Sequence, residues 1–523
     1  MQNRQFSPII ILVPIVVAVF LLLFLPLPQI SPTVDEMVHL PSGYSYFKTH
    51  DFRFNPEHPS LAKLFYAIPL NFQNINWSAQ TQEYFGSAKY FQDNWQIDRA
   101  FGENLLFGSN NDASKMIFAG RIVAIVLTLA LVVTVFFATR AQFGEFSAVV
   151  ASFFVGLSPI VLGHGNLTNT DIIATLTFVL SVWAFWSYLS ESTIKNLVWA
   201  SIVFSLAALS KYTFVILIPI FIILKLFYRY ILKKKNKFFD FNLTRLLYFL
   251  AIFALILLAC YFFNPTQIKY YVKGLIYVFV HTEGGHDSYL LGQFSHTGWW
   301  YYFPVAILLK DPIPTLLLIG FGIINFVLYP KTKGSFWFLA GLVYLLVAMT
   351  SKANLGVRHV LPAIVMFIIW ASSIFSQDSF IKSKYILTVL IFVLALWQGW
   401  EVFSNYPNYI SYFNSAIKTS EKAYYLTDSN LDWGQDGKKI ADFVKKNNLQ
   451  NVFIDYSWTP RTLFADYRLV DYKSADGQTV GTKGNYFIAA STFEYNKSGK
   501  YTWLKNFPHQ HLFGGTVVWV NVD

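Results

Sequence analysis

Two acids and a histidine stand together directly after the first long apolar segment of the chain. They form the pattern D-E-x-x-H, with Asp35, Glu36 and His39. In a helix, Asp35 and His39 would share a face, and a carboxylate there could accept a proton from a hydroxyl group or hold a metal ion. The same acids also suit an ordinary helix start, where the dipole favours negative charge. A zinc-protease motif requires a histidine where Asp35 stands, so that chemistry is disfavoured.

A second polar group follows in NPEHPSLAKL and contains Glu57, His58 and Lys63. Lys63 falls within LAKLFYAIPL, an apolar segment that is too short to span a bilayer. The pattern predicts a segment lying flat on the membrane surface, with Lys63 at a lipid phosphate. Snorkelling of a long amphipathic side chain explains the same lysine equally well.

Single charged residues also occur within or beside later apolar segments. An arginine inside such a segment needs an acidic partner, and for Arg121 the candidates are Asp35 and Glu36. Basic groups at the outer interface can neutralise a phosphate, which suits Lys63, Lys211 and Arg358. Basic residues are also common anchors at helix ends, so this pattern alone leaves both interpretations open.

The composition indicates the environment in which these residues work. Of 523 residues, 54% are hydrophobic and 13% are charged, whereas soluble proteins have about 25% charged residues. This excludes an ordinary soluble protein and predicts a polytopic α-helical membrane protein with about eleven transmembrane helices. The candidate segments are 8–28, 115–138, 146–162, 171–190, 196–209, 212–230, 243–263, 312–329, 336–350, 358–376 and 382–402.

The net charge of +11 is best explained by membrane topology. Basic residues gather at Arg140, Lys195, 229–237, 329–333 and 381–384, which the positive-inside rule places on the cytoplasmic side. Nucleic-acid binding is therefore not expected. The outer side then holds the loops 29–114, 163–170 and 264–311 and everything after residue 402. Nearly all the candidate polar residues fall on that side, whereas a transporter needs polar groups accessible from both faces.

The last part of the chain has a different character, because charge and asparagine increase and the apolar runs shorten. We predict a membrane domain over 1–403 and a small extracytoplasmic α/β domain over 404–523. Residues 436–447 have the apolar spacing of an amphipathic helix. Residues 451–456, 485–491 and 515–522 have the β-branched and aromatic content of strands.

Metal binding is not favoured by the spacing of possible ligands. The loop 264–311 offers His281, Glu283, His286, Asp287 and His296, but no strong metal-site pattern is present. The single cysteine, Cys260, excludes an internal disulfide and a thiolate cluster. We expect a mobile, substrate-facing loop with a flexible break at Gly284 and Gly285, and no cofactor.

The order of these motifs resembles the polyprenyl-phosphate-dependent glycosyltransferases of the GT-C superfamily. The nearest group is similar to family 39, which includes protein O-mannosyltransferases and lipid A aminoarabinose transferases. The acidic pair after the first helix, an H-P…K element and late charged positions carry the resemblance. Those late positions are Arg121, Asp171, Lys211 and the pair Arg358–His359. The family's H-P-P-x-x-K element reads HPSLAK here, which is a departure. The stretches at 298–316 and 405–436 resemble a bacterial branch that has a C-terminal α/β domain.

The resemblance implies transfer of a sugar from a polyprenyl-phosphate donor to an acceptor by direct displacement on the outer face of the plasma or inner membrane. Asp35 would be the base, Glu36 and Asp171 would position or tune it, and Arg121 would pair with an acid. Lys63, Lys211 and Arg358 would bind the phosphate. The substrate site would also include His39, Glu57, His58 and His359. The acceptor and the sugar stay open. The alternatives are a transporter or flippase of a lipid-linked sugar and a non-catalytic membrane scaffold.

Overall fold

The computed structural model describes residues 9–87, 95–233, 242–329, 334–375, 381, 383–456, 459–495 and 499–523. Most of these residues are helical, and a small sheet lies near the C-terminus. In the basic runs that suggested the cytoplasmic side, residues 234–237, 330–333 and 382 lie outside the described residues.

Seven described helices are long and apolar enough to cross a membrane. They span Ile10–Gln29, Ala113–Phe143, Asp171–Ser190, Tyr212–Ile231, Leu243–Cys260, Val357–Phe375 and Tyr385–Ser404. Shorter apolar helices span Glu145–Gly156, Ile194–Ser210, Ile313–Leu328 and Ser335–Ala348. Together they coincide with the predicted apolar segments, so the polytopic helical fold is confirmed, while the number of helices that cross a bilayer stays a prediction.

The α-helices of the membrane part, flanking turns excluded, are numbered in chain order. They are α1 (Ile9–Phe24), α2 (Glu36–Thr49), α3 (Ser60–Ala67), α4 (Ala79–Ser87), α5 (Trp95–Glu103), α6 (Ala113–Phe143), α7 (Glu145–Gly156), α8 (Pro159–His164), α9 (Asp171–Ser190), α10 (Ile194–Ser210), α11 (Leu217–Leu226), α12 (Leu243–Cys260), α13 (Ile268–Gly284), α14 (Tyr302–Lys310), α15 (Ile313–Leu328), α16 (Ser335–Ala348), α17 (Leu361–Ala371) and α18 (Lys384–Ser404).

Burial separates the central helices from the peripheral ones. Every residue of α17 is buried, whereas no residue of α12 is fully buried. A helix that is apolar all round and buried belongs to the core, and a helix that is apolar and exposed faces lipid in a membrane protein. Helix α17 therefore runs through the middle of the bundle and fixes the position of Arg358, which lies just before its first residue.

The long loop 29–114 is largely helical and packs inward. Two glycines let helices approach α2 closely: a Cβ at Gly43 would lie 2.1 Å from the carbonyl oxygen of Lys63, and one at Gly102 would lie 1.8 Å from that of Met37. Helix α3 is therefore held against α2, and seven of its eight residues are buried. Gly43 allows α3 to pack inside the protein, so Lys63 is not exposed at a surface, while the orientation of its segment along the membrane stays a prediction.

The second of the predicted outer loops, 264–311, contains α13, a short antiparallel hairpin and α14. The hairpin strands are β1 (Ser288–Leu290) and β2 (Gln293–Ser295). Hydrogen bonds from the backbone of Leu291 and Gly292 to the carbonyls of Tyr425 and Tyr424 attach the hairpin to the C-terminal part of the chain.

The C-terminal part contains the predicted α/β elements around a five-stranded sheet. The helices are α19 (Lys422–Tyr425), α20 (Gly437–Lys446), α21 (Arg461–Asp466) and α22 (Ala490–Glu494). The strands are β3 (Val452–Asp455), β4 (Tyr472–Ser474), β5 (Gly484–Ala489), β6 (His509–Leu512) and β7 (Val517–Val522). The strand order is β4-β3-β5-β7-β6, with β3 parallel to β4 and β5, and β7 antiparallel to β5 and β6. The predicted helix and three strands are confirmed, and β4 and β6 were missed.

The segment before α20 binds directly to the start of α2. The amide of Ser31 donates to the carbonyl of Gln435 at 2.9 Å, and that of Val34 donates to the carbonyl of Trp433 at 3.3 Å. The amide of Lys438 donates to the hydroxyl of Ser31 at 2.7 Å. The stretch DSNLDWGQD (428–436) thus lies over the D-E-x-x-H pattern.

Candidate active site

Glu36 and Arg121 form a buried ion pair. The two guanidinium nitrogens Nε and Nη2 of Arg121 donate to the Glu36 carboxylate at 2.9 and 2.6 Å, and the side chains are 3% and 0% exposed. Arg121 also donates to the carbonyls of Ile30 and Ser31. Such a bidentate pair with further hydrogen bonds removes the need for either charge to meet water. Of the two predicted candidates, Asp35 and Glu36, the acidic partner of Arg121 is therefore Glu36.

The loop before α9 adds hydrogen bonds to Glu36 and to the neighbouring His39 through the backbone of Thr168. The amide of Thr168 donates to Glu36 at 3.2 Å, and the carbonyl of Thr168 accepts from Nδ1 of His39 at 3.0 Å. A carbonyl only accepts, so Nδ1 of His39 carries the proton and Nε2 is left as the acceptor nitrogen. Burial lowers the pKa of His39, which keeps the imidazole neutral. Within the D-E-x-x-H pattern, Glu36 is thus held in a buried ion pair, whereas His39 has a nitrogen, Nε2, that can still accept a hydrogen bond.

Three charged residues from distant parts of the chain meet at Asp171. Nζ of Lys211 lies 2.5 Å from one Asp171 oxygen, and Nη1 of Arg358 lies 3.2 Å from the other. The Asp171 side chain is completely buried. Asp171 opens α9, Lys211 follows the end of α10, and Arg358 precedes α17, so three helix ends place these charges at one level of the bundle.

Asp35 is the most accessible acid of this group. Its carboxylate lies 3.1 Å from Nη1 of Arg358, and its side chain is 22% exposed, whereas Glu36 and Asp171 are 0% exposed. The backbone carbonyl of Asp35 accepts from the amide of His39 at 2.8 Å, as the predicted helix requires. Among the three acids, Asp35 is therefore the one that a substrate could reach.

Arg358 is held in place by the C-terminal segment. Its guanidinium lies 4.0 Å from the centre of the Trp433 ring, and Nε donates to the hydroxyl of Ser429 at 3.2 Å. Nη2 has no hydrogen-bond partner among the described residues. A guanidinium stacked on an indole keeps a fixed orientation, and a free nitrogen of this kind is suited to a phosphate oxygen.

Lys63 does not face outward. It is fully buried, and its ammonium donates to the carbonyls of Asn55 and His58 and lies 5.2 Å from the Tyr46 ring centre. It therefore holds the NPEHP loop in shape, which corrects the expectation that it contacts a lipid phosphate directly. His58 in turn places its ring 4.9 Å from that of His39, so this loop borders the acidic pair.

An additional acid, Asp98, joins the Lys63 loop. One oxygen accepts from the amide of Asn55 at 3.0 Å, while the other is buried with no partner among the described residues. Burial raises the pKa of Asp98 to about 8 and that of Glu57 to about 7, and it lowers the pKa of Lys63 to about 7. Glu57 also accepts from Asn55 at 2.9 Å. This cluster changes charge near neutral pH.

Two more histidines surround the charged group. Nε2 of His359 is shielded from solvent without a hydrogen-bond partner among the described residues. His164, at the end of α8, packs its ring 5.8 Å from that of Trp433. His359 was predicted, and His164 was missed although it lies in the loop 163–170 that was assigned to the outer side.

Other residues support the site through hydrogen bonds to backbone carbonyls, which sequence motifs do not indicate. The ammonium of Lys310 donates to the carbonyls of Ile410 and Asn430, and the amide side chain of Asn430 donates to the hydroxyl of Tyr302. These contacts fix the segment that carries Ser429 and Trp433. Lys310 and Tyr302 belong to the stretch 298–316 that carried part of the resemblance.

The possible metal ligands of loop 264–311 are dispersed. Asp287 pairs with His296 at 3.1 Å, and Glu283 pairs with Lys352 at 3.0 Å. Within the described residues, three metal-ligating side chains gather at Glu494, His509 and His511, in the C-terminal part. At the charged cluster, the position between Asp35 and Asp171 is filled by Nη1 of Arg358.

The comparisons with known proteins give a match to one family model and several similar folds. Residues 109–262 match the family model described as dolichyl-phosphate-mannose-protein mannosyltransferase, and this segment contains Arg121, Asp171 and Lys211. No curated protein matches the chain. The crystal structure of ArnT from Cupriavidus metallidurans in the apo state superposes with a TM-score of 0.51 at 11% identity, over 98% of both chains. The chain has the GT-C fold.

Further structures with the GT-C fold are similar to this chain. ArnT bound to undecaprenyl phosphate has a TM-score of 0.50 at 10% identity, again over 98% of both chains. The oligosaccharyltransferase AglB from Archaeoglobus fulgidus, in complex with an inhibitory peptide and a dolichol phosphate, has a TM-score of 0.47 at 13% identity, over 100% of this chain and 75% of AglB. The similarity to the two ArnT structures confirms the predicted resemblance to the GT-C superfamily at the level of the fold.

Proposed function

We propose that this protein is a membrane glycosyltransferase that transfers a sugar from a polyprenyl-phosphate donor to an acceptor. The observation that carries the proposal is the accessible carboxylate of Asp35, 3.1 Å from Arg358, beside a second, buried acid with its own lysine. The match to the mannosyltransferase family model and the GT-C fold support a glycosyltransferase. The binding of undecaprenyl phosphate by ArnT supports a lipid-phosphate donor.

In the proposed reaction, Asp35 is the general base. The acceptor hydroxyl oxygen attacks C1 of the sugar as the bond between C1 and the phosphate oxygen breaks. The acceptor proton passes to the carboxylate of Asp35, and the bonding pair leaves with the polyprenyl phosphate. A single displacement inverts the configuration at C1. The phosphate is a stable anion, so the site needs cations at the leaving group and one proton acceptor at the nucleophile.

Arg358 and Lys211 would bind the phosphate. Arg358 has a free Nη2, and its guanidinium is oriented by Trp433 and Ser429. Lys211 is 10% exposed and paired with Asp171 at 2.5 Å. When a phosphate arrives, these cations can be shared between Asp171 and the phosphate oxygens, which charge-assisted hydrogen bonds favour. Lys63 would not contact the phosphate; its hydrogen bonds to the carbonyls of Asn55 and His58 would hold the loop that carries His58 in position.

Glu36 and Asp171 would be positioning residues. Glu36 is occupied by Arg121 and by the amides of Thr33 and Thr168, so it fixes the start of α2 and with it the backbone of Asp35. Asp171 fixes Lys211 and Arg358. His39, Glu57, His58 and His359 would border the substrate. Asp35 is assigned as the base because a general base must come within hydrogen-bond distance of the hydroxyl group that it deprotonates, and Asp35 is the accessible acid.

The topology is part of the same proposal. With the basic segments in the cytoplasm, the charged cluster and residues 404–523 face the outside of the plasma or inner membrane. Residues 1–403 would then form the transferase domain and 404–523 an extracytoplasmic domain that holds Arg358 from outside. A reporter fused after Asp523 that is active only outside the cytoplasm supports this arrangement, and one active inside contradicts it.

The testing experiment follows label from donor to product. Polyprenyl phosphates carrying radiolabelled hexoses or pentoses are added to detergent-solubilised membranes of the source cells that lack this protein, with and without the purified chain. We expect label to move into a non-donor fraction, with release of polyprenyl phosphate, only when the chain is present. A flippase would instead move intact donor across vesicles without cleaving it. A non-catalytic scaffold would leave the donor unchanged.

A further inference from the structure

A second cluster of chemically active side chains lies far along the chain from the charged site, between the edge strand β6 and the end of α22. It consists of Glu494, His509 and His511, whose ligand atoms all lie within 4.8 Å of one another. None of these residues belongs to a motif used above. We propose that they bind a divalent transition metal ion of the Zn²⁺ type.

The local fold places these ligands. His509 and His511 are two positions apart on β6, so their side chains leave the same face of this edge strand. Glu494 is the last residue of α22. Oε1 of Glu494 lies 3.7 Å from Nε2 of His511. Ligand atoms on a tetrahedral zinc ion, at bond lengths of about 2.0–2.2 Å, are roughly 3.3–3.5 Å apart. Small rotations of the side chains would therefore close the site.

The partners of the ligands leave the required atoms available. Nδ1 of His509 lies 3.1 Å from the carbonyl of Phe507, which fixes the proton on Nδ1 and leaves the lone pair of Nε2 for a metal. Oε2 of Glu494 accepts from Lys505 at 3.0 Å, while Oε1 is directed toward His511. The metal would thus take one nitrogen from each histidine and one carboxylate oxygen.

The chemistry of the donor set selects the type of ion. Two imidazoles and one carboxylate suit zinc and other late first-row ions, whereas magnesium and calcium prefer oxygen ligands alone. Three protein ligands leave a fourth position for water.

The location suggests what the ion does. It would connect the edge strand β6 to α22, and the next residue, Tyr495, packs its ring 5.4 Å from that of Tyr289 in the outer hairpin and 5.8 Å from that of Tyr424. A metal at this point would stabilise the connection between the C-terminal sheet and the outer loop. It is separate from the sugar-transfer chemistry, so its failure would leave the proposed function untouched.

The test uses the full chain, purified in detergent with a tag that contains no histidine and then stripped with a chelator. Zn²⁺ binding is measured by competition with a chromophoric chelator, and Co²⁺ is added separately to record the visible spectrum of the bound ion. We expect one ion per chain, and a rise in apparent melting temperature on adding Zn²⁺. Glu494→Gln, His509→Ala and His511→Ala should each weaken binding by at least tenfold.

The matched control is His296→Ala, which removes an exposed histidine paired with an aspartate in the outer hairpin. It should leave Zn²⁺ affinity unchanged. If His511→Ala does not fold, the Zn²⁺ affinities of Glu494→Gln and His509→Ala test the proposal, because both side chains are more exposed than that of His511. Absence of equimolar binding, or unchanged affinity in Glu494→Gln and His509→Ala, would overturn the proposal.

Discussion

Arg358 and Asp35 are 323 positions apart in the chain, yet Nη1 of Arg358 lies 3.1 Å from Oδ2 of Asp35. The same nitrogen reaches Asp171 at 3.2 Å. One guanidinium therefore links the accessible acid directly before α2 to the buried acid that opens α9. In the proposed reaction, this is the point where the leaving phosphate and the incoming hydroxyl would meet.

The first prediction concerns the phosphate cations. Arg358→Gln should weaken the binding of undecaprenyl phosphate about tenfold to a hundredfold, because a charge-assisted hydrogen bond contributes about 1.5–3 kcal/mol. Binding is measured with the purified protein in detergent by thermophoresis. Lys211→Gln should have a similar effect.

Lys63→Gln is the matched control for this measurement, since it removes a buried lysine ammonium that donates to the carbonyls of Asn55 and His58. It should lower thermal stability and change undecaprenyl phosphate affinity much less than Arg358→Gln does. Equal losses of affinity in all three variants would show that the lysine loop binds phosphate after all. Normal affinity in Arg358→Gln and Lys211→Gln would remove the phosphate site.

The second prediction separates the structural acid from the catalytic one. Glu36→Gln leaves the buried guanidinium of Arg121 without a counter-charge, which typically costs about 3–5 kcal/mol of stability. The apparent melting temperature should fall sharply. Combining Glu36→Gln with Arg121→Met removes both charges and should recover part of the loss, so the two effects are not additive. Additive losses would contradict a direct pair.

Much of this arrangement could be predicted from the sequence, and the exceptions have physical causes. Apolar length indicated the helices, and charges in apolar segments indicated Arg121, Asp171, Lys211 and Arg358, because such charges need a function or a partner. The choice of Glu36 over Asp35 as partner of Arg121 could not be predicted, since neighbouring residues differ by 100° around a helix and only the packing of α6 decides between them.

The residues that were missed or misplaced depend on tertiary packing. Lys63 was assigned to the surface because its segment is short and apolar, but the glycine at position 43 lets α3 approach α2 and buries the lysine. Asp98 and Lys310 bind backbone groups, which leave no pattern in a sequence. The strands β4 and β6 are short edge strands with polar residues, so alternation was too weak to indicate them.

The third prediction concerns pH. The pKa of Asp98 is raised by burial from 3.8 to about 8, so the folded state binds a proton that the unfolded state releases between about pH 4 and 8. Stability must then fall as pH rises through this interval. Asp98→Asn cannot ionise and keeps an oxygen that accepts from Asn55. Its melting temperature relative to the unmodified protein should therefore increase from pH 5 to pH 8.

At pH 8 we expect Asp98→Asn to be the more stable of the two proteins, because the buried carboxyl group of Asp98 must either hold its proton or carry a buried charge at that pH. The pKa of Glu57, raised to about 7, also makes stability fall between about pH 4.5 and 7, whereas the lowered pKa of Lys63 makes it rise above about pH 7. Both groups remain in the variant, so the difference between the two proteins measures the titration of Asp98 together with its electrostatic coupling to Glu57 and Lys63. A difference that does not change with pH would refute the assignment.

The fourth prediction concerns the C-terminal segment. Trp433→Ala removes the ring that lies 4.0 Å from the Arg358 guanidinium, so Arg358 loses its fixed orientation. We expect weaker undecaprenyl phosphate binding and slower transfer, whereas Trp433→Phe keeps an aromatic face and should retain most of both. Equal loss in the two variants would point to a packing role for the indole instead of support for the arginine.

The most direct test of the account is turnover against donor affinity in Asp35→Asn. The asparagine keeps the shape of the side chain but cannot take the acceptor proton, and Arg358 and Lys211 are unchanged. We predict that transfer falls by about 10²–10⁴-fold while affinity for undecaprenyl phosphate stays within a few-fold of the unmodified protein. Normal transfer by Asp35→Asn would contradict the account, because it would take the base role away from the accessible acid of the cluster.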